Sequence, residues 1–246
     1  YVSALLMLAA CGEAPIEVAL TGKDIGARGY VDLTLDCMRA FGAQVEAVDD
    51  TTWRVAPTGY TANDYLIEPD ASAATYLWAA EVLTGGSIDL GVAAQDFTQP
   101  DAKAQAVIAQ FPQMPATVVG SQMQDAIPTL AVLAAFNNTP VRFTELANLR
   151  VKECDRVQAL HDGLNEIRPG LATIIGDDLL VASDPALAGT ACTALIDTHA
   201  DHRIAMCFAL AGLKVSGVKI QDPDCVGKTY PEYWNALGSL GVQLTY

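Results

Sequence analysis

The chain has 246 residues, 51% of them apolar and 17% charged. That is enough to bury a core as one large domain or two small ones, and too apolar for a disordered chain. A formal net charge of −15 argues against a nucleic-acid binder, which normally shows a basic face. It also makes the 14 Lys and Arg informative, because five of them fall in three short segments: Arg150, Lys152 and Arg156; Arg203; and Lys228. Grouped cations in an acidic protein suit an anion site, and they equally suit ordinary surface charge.

The six Cys are scattered, with no CxxC or CxxH spacing, so the usual local zinc signatures are excluded and no metal is expected. Their distribution fits a reduced, cytosolic protein better than a disulfide scaffold. Leu8-Ala9-Ala10-Cys11 has the look of a lipoprotein cleavage site, but no Lys or Arg precedes the apolar run, and the run is too short to span a bilayer. A buried helix is the preferred reading, and no membrane segment is expected.

In chain order, Val2 to Ala10 predicts that buried helix, Ile16 to Leu20 a strand, Tyr30 to Phe41 an amphipathic helix, and residues 44–48 and 52–56 two strands. The polar stretch Pro57–Asp64 then predicts a domain boundary, with residues 1–60 on one side and 61–246 on the other. Beyond it a pattern repeats. Three Ala-rich segments open with Asp70, Asp125 and Asp201, a residue suited to a helix N-cap or first turn. The residues after each Asp are apolar or small nearly all round, as in a buried helix.

Each such helix ends near a turn signal (Gly85-Gly86, Asn137-Asn138 or Gly217) and leads into a short strand at 87–91, 141–144 or 218–221. Second, amphipathic helices are expected over 101–111, 151–166 and 230–238. Residues 172–182 predict a hairpin turning at Gly176-Asp177-Asp178. Residues 1–56 fit the same template, giving four α-β-α-β-β-like units, one before the linker and three after it. Three units can close into a pseudo-threefold domain. A single unit cannot bury its own helix, so the face of residues 1–20 is a candidate for self-association.

Three segments carry a resemblance. Asn148-Leu-Arg-Val-Lys-Glu-Cys-Asp-Arg156, Asp201-His-Arg-Ile-Ala-Met206 and Asp222-Pro-Asp-Cys-Val-Gly-Lys-Thr-Tyr-Pro231 are similar, in order and separation, to signatures of the 5-enolpyruvylshikimate-3-phosphate synthase family. The blocks at Tyr1–Met7 and Asp70–Ser72 resemble weaker family blocks, so the likeness covers essentially the whole chain and points to the C-terminal part of such an enzyme. It implies the enolpyruvyl transferase fold, α+β in class, with pseudo-threefold domains of βαβαββ units and the active site in a cleft between two domains. On this reading residues 1–60 are the last unit of the N-terminal domain and 61–246 the C-terminal domain.

The resemblance implies transfer of an enolpyruvyl group from phosphoenolpyruvate to the 5-hydroxyl of shikimate 3-phosphate, with no metal or other cofactor. It implies that Arg156 and Arg203 hold phosphoenolpyruvate, whose two anionic groups suit planar guanidinium forks, and that Lys228 meets its phosphate. Asp125 matches the aspartate that binds the shikimate hydroxyls and takes the proton; Glu153 matches the glutamate of proton transfer at C3. Lys152, Asn148 and Tyr30 match residues contacting shikimate, and His202 and Asp201 line the site. Arg150 carries no implied contact.

Other readings of these residues stand beside that one. Asp70, Asp125 and Asp201 also read as helix caps, and the charged run from Arg150 to Arg156 also reads as a solvated helix face with i, i+3 and i, i+4 pairs. His202 also reads as a hydrogen-bonded structural histidine, and Tyr230 and Trp234 read as core. The sequence departs from the family at Ala27, where a phosphate-binding serine is usual, and the family's N-terminal lysine, serine, arginines and glycine-rich loop have no counterpart here. Two alternative functions are a relative acting on a UDP-sugar and a non-catalytic repeat module that binds an anion or a protein.

Overall fold

The structure, a computed structural model, describes residues 1–22 and 26–245. It divides into two compact units. The first holds Tyr1–Pro69 and Phe97–Pro100; the second holds Asp70–Asp96 and Asp101–Tyr246.

In the first unit, helices α1 (Val2–Ala9) and α2 (Arg28–Ala40) pack against strands β1 (Ile16–Ala19), β2 (Val45–Ala47) and β3 (Thr52–Val55). β3 lies in the middle, antiparallel to both neighbours, with Val55 opposite Ile16 and Val45. On α2, Val31, Leu35 and Met38 recur at helical spacing and are buried. On β3, Trp53 and Val55 alternate with exposed Arg54. With Leu6 and Ala9 they form the core of this unit. α1 is apolar all round, yet only one face of it is covered: Tyr1, Leu5, Met7 and Leu8 are exposed.

The polar stretch after β3 stays with the first unit. Thr61 N–H donates to the Phe41 carbonyl (2.7 Å) and Asn63 Nδ2 to the Ala40 carbonyl (2.9 Å). The Glu68 carboxylate accepts from the backbone N–H groups of Thr98 (2.8 Å) and Gln99 (3.0 Å). Residues 61–69 are thus anchored to the first unit, and the packing divides after Pro69.

The second unit is built around α3 (Ala71–Thr84), α5 (Ile127–Ala134) and α7 (His202–Gly212). Every residue of α5 is buried, as its continuous apolar run requires. Around this centre lie α4 (Ala104–Ile108), α6 (Arg156–Ile167) and α8 (Tyr233–Ser239). Strands β4 (Thr117–Val119), β5 (Val141–Thr144), β6 (Ala172–Ile175) and β7 (Asp178–Val181) form a sheet in the order β4-β5-β7-β6, in which only β4 and β5 are parallel. Strands β8 (Leu195–Ile196) and β9 (Lys219–Ile220) form a separate parallel pair. The recurring helix–strand order is the repeat seen in the sequence.

Three expectations are corrected. No strand forms at 87–91, because side chains take the backbone donors a ladder would use: Ile88 N–H donates to Glu81 Oε1 (2.6 Å) and Gly91 N–H to Asp89 Oδ1 (2.8 Å). The helix expected over 101–111 shrinks to a 3-10 turn (Pro100–Lys103) followed by α4. The helix expected from residue 151 begins at Arg156, where Asp155 caps it.

Gly217 shows how closely the last repeat is packed. Its φ is +85°, and a Cβ there would stand 2.0 Å from the Cys192 carbonyl oxygen. Gly217→Ala is therefore expected to cost at least about 2 kcal/mol, from a left-handed backbone plus overpacking. A lowered urea midpoint checks this.

Candidate functional site

The segment from Asn148 to Arg156 is shaped by its caps. A 3-10 turn runs over Ala147–Val151, Lys152 leaves helical geometry (φ −84°, ψ −148°), and Asp155 accepts from Gln158 N–H (3.0 Å) to open α6. Arg150 bonds Asp155 (2.8 Å), Asp177 (2.8 Å) and the Gly176 carbonyl (2.7 Å). It clamps this segment onto the β6–β7 turn. The run is not a solvated helix face, because Arg156, the first helical residue, is 1% exposed.

A buried guanidinium needs a partner for its five N–H donors and for its charge, and Arg156 has three carboxylates. Its Nε reaches Asp201 Oδ2 (2.7 Å) and its Nη1 reaches Asp125 Oδ1 (3.0 Å). Its Nη2 reaches Glu153 Oε2 (2.6 Å) and, at 3.3 Å, Asp201 Oδ1. Asp125 also accepts from Arg203 Nη2 (3.0 Å) and lies 3.5 Å from Lys152 Nζ. Glu153 pairs with Lys228 Nζ as well. Four cations and three carboxylates from four separate stretches thus form one network within the second unit.

Asp201 is fully buried and accepts from Arg203 N–H (2.8 Å), so it caps α7 and holds Arg156 at once. His199 and Ala200 just before it are both left-handed (φ 51° and 56°), a strained approach costing about 1–3 kcal/mol per residue. Asp70 caps α3 through Ser72 and Ala73 N–H. Asp125 is no cap: it sits in the 3-10 turn Gln124–Ala126, and its carboxylate is turned to the cations. His202 is buried, and among the described residues neither ring nitrogen has a hydrogen-bond partner; Nδ1 stands 3.7 Å from Asp201 Oδ1. The alternative reading of His202 as a hydrogen-bonded structural histidine is therefore not what is found.

Not every expected residue joins the network. Asn148 is exposed on the 3-10 turn, and Tyr30 lies on α2 in the first unit. Ala27 is the left-handed N-cap of α2 (φ 66°) with no side-chain cap bond. Two buried residues were missed: Asp101, and Tyr76, whose ring packs edge-on against Tyr233 (5.8 Å) and whose hydroxyl is within the electrostatic reach of Arg203. Nothing in their local pattern separated them from core or cap. Cys154 Sγ lies 3.5 Å from Asp201 Oδ2. Among the described residues no three His, Cys, Asp or Glu gather in a group able to hold a metal, and no helix is long and apolar enough to cross a membrane.

The network fixes protonation states. Burial alone would raise the Asp125 pKa, but Arg203, Lys152 and Arg156 outweigh it and hold the carboxyl below its ordinary value. Burial likewise opposes ionisation of Glu153, and the bond from Lys228 with the charge of Arg156 brings its pKa to about 2. His202 is lowered by burial and by Arg203, so it stays neutral at pH 7. Both depressed carboxylates contribute stability that is complete above their unfolded values near 4 and is lost as pH falls through their lowered folded values, about 2 for Glu153. The denaturant midpoint is therefore expected to hold from pH 7 to about 5 and fall below about 4, more steeply than in Glu153→Gln.

Comparison with known proteins adds to this geometry. The family model described as EPSP synthase (3-phosphoshikimate 1-carboxyvinyltransferase) matches residues 1–237. A 3-phosphoshikimate 1-carboxyvinyltransferase from Pseudomonas savastanoi pv. phaseolicola is 71% identical over 244 residues, covering 99% of this chain and 58% of the relative. One from Rhizobium leguminosarum bv. trifolii is 68% identical over 242 residues, again covering 58% of the relative. The chain thus spans little more than half the length of these relatives. Among solved structures, EPSP synthase from Acinetobacter baumannii matches with a TM-score of 0.73 at 21% identity, covering 97% of this chain and 59% of that one. An enolpyruvyl transferase from Streptomyces tendae matches with a TM-score of 0.63 at 16% identity. The mixed α/β repeats are those of the enolpyruvyl transferase fold.

Proposed function

Because the chain belongs to the EPSP synthase family, we propose that it is the C-terminal portion of such an enzyme. On this reading it carries that portion's share of the site that moves the enolpyruvyl group of phosphoenolpyruvate to the 5-hydroxyl of shikimate 3-phosphate. Residues 1–60 are then the last repeat of an N-terminal domain and 61–246 the three repeats of the C-terminal one. The observation that carries this reading is the network of Lys152, Arg156, Arg203 and Lys228 around Asp125, Glu153 and Asp201.

The chemistry asks for cations against phosphate and carboxylate, and for groups that move protons to and from oxygen and carbon. Arg156, Arg203 and Lys228 bind phosphoenolpyruvate. Asp125, ionised at neutral pH, takes the proton as the 5-hydroxyl oxygen attacks C2. C3 gains a proton through Glu153, which as a carboxylate must first take one from solvent; the tetrahedral intermediate then loses phosphate while the Glu153 carboxylate takes a proton back from C3. Lys152, Asn148 and Tyr30 contact the shikimate moiety, and neutral His202 lines the site. Lys228 is bonded to Glu153, which places the phosphate-binding lysine beside the residue that serves C3.

A steady-state assay of phosphate release tests this. The chain alone is expected to give no turnover above background, since it spans 58% of its relatives and lacks the residues and the water exclusion of the remainder. Adding a separately produced segment that covers the remaining length is expected to restore activity. Turnover by the chain alone refutes the reading as a portion; silence after complementation by folded segments counts against the function. The exposed Leu5, Met7 and Leu8 support self-association through α1, and a sharp monomer in sedimentation at high concentration would exclude it.

A further inference from the structure

Behind the cation network lies a carboxylate that no substrate role claims. Asp101 is 2% exposed. Its Oδ1 accepts from the backbone N–H of Ala126 (3.1 Å), and its Oδ2 accepts from Ser72 Oγ (3.1 Å) on the first turn of α3. Ala126 directly follows Asp125, in the 3-10 turn Gln124–Ala126. The turn bearing Asp125 is therefore tied to the start of α4 and to α3 through this one side chain. Burying a carboxylate is costly unless it is paired and hydrogen-bonded.

We infer that Asp101 is a positioning residue of the site, its buried side chain fixing the turn that carries Asp125 onto the first turn of α3. Asp125 is then held from two sides, by Ala126 N–H through the backbone and by Arg203 Nη2 at its own carboxylate (3.0 Å). Substrate-binding geometry of this kind depends on such support, because small displacements of a reacting group cost large factors in rate. For catalysis the inference rests on the function proposed above; the geometric part does not.

The experiment separates cap from charge in the 246-residue chain. Asp101→Asn keeps an oxygen for Ala126 N–H and removes the charge; Asp101→Ala removes both. Amide hydrogen exchange at Ala126 is expected to accelerate at least tenfold in Asp101→Ala and less than threefold in Asp101→Asn. An unchanged Ala126 amide in Asp101→Ala overturns the turn-fixing role.

Calorimetric titration with phosphoenolpyruvate distinguishes the two levels. Binding by wild type that weakens at least tenfold in Asp101→Ala supports both. Absence of binding by wild type, with the exchange result as expected, counts against the anion site and leaves Asp101's structural role standing.

Discussion

Arg156→Met is expected to destabilise the second unit by about 3–5 kcal/mol, among the largest effects of any single change in this chain. Methionine fills much of the arginine's volume, so the loss is electrostatic rather than a cavity. What it leaves behind is Asp201, fully buried, with only its cap bond to Arg203 N–H and the thiol of Cys154 in place of two guanidinium bonds. Asp125 and Glu153 lose a partner too, but each keeps a lysine or arginine. Urea unfolding gives the number, and Arg156→Met/Asp201→Asn is the control. Removing both charges is expected to cost less than the two single changes summed. Arg150→Met offers the contrast, since its partners are exposed or half-exposed, and such pairs contribute about 1 kcal/mol or less. A loss below 1 kcal/mol for Arg156→Met would mean that the buried network does not form in solution.

The second large effect is chemical. Asp125→Ala, in the chain complemented by the remaining segment, is expected to lower turnover by about 10²–10⁴-fold, the range for removing a general base. Asp125 is poised for that role: three cations keep it ionised, and its carboxylate lies in the network while its backbone turn is pinned. Circular dichroism separates a folded, inactive variant from an unfolded one. A folded variant with turnover within threefold of wild type would remove Asp125 from the proton transfer and leave the network as an anion clamp alone.

Much of the fold is legible in the sequence because local rules and tertiary packing agree. The buried helices α3, α5 and α7 show as apolar runs, and Trp53 and Val55 show by alternation. The misses have physical causes. Periodicity cannot see a side chain taking a backbone donor, so Glu81 and Asp89 hid the absence of a strand near residue 88. Nor can it see that Asp155 caps α6, so that the helix starts at Arg156 and not at residue 151. Asp at the head of an apolar run predicted caps at residues 70, 125 and 201. Only the folded chain shows that Asp70 caps, that Asp125 faces cations and that Asp201 does both.

The charged residues of the candidate site were legible through a resemblance in order and spacing, and not through any local signal. Arg156 alone reads as a surface charge; its burial depends on Asp201, 45 residues away. Asp101 was not legible at all, because Ser72 and Ala126, which it binds, are 29 and 25 residues distant.

Trp53 sits in the core of the first unit with the Arg28 guanidinium 5.0 Å from its ring, whereas Trp78 and Trp234 belong to the second. The three tryptophans of the chain therefore act as separate optical reporters. A Trp78→Phe/Trp234→Phe protein emits from the first unit alone, and a Trp53→Phe protein from the second alone. Following the emission maximum of each through a urea titration shows whether the two units melt as one cooperative body or in succession.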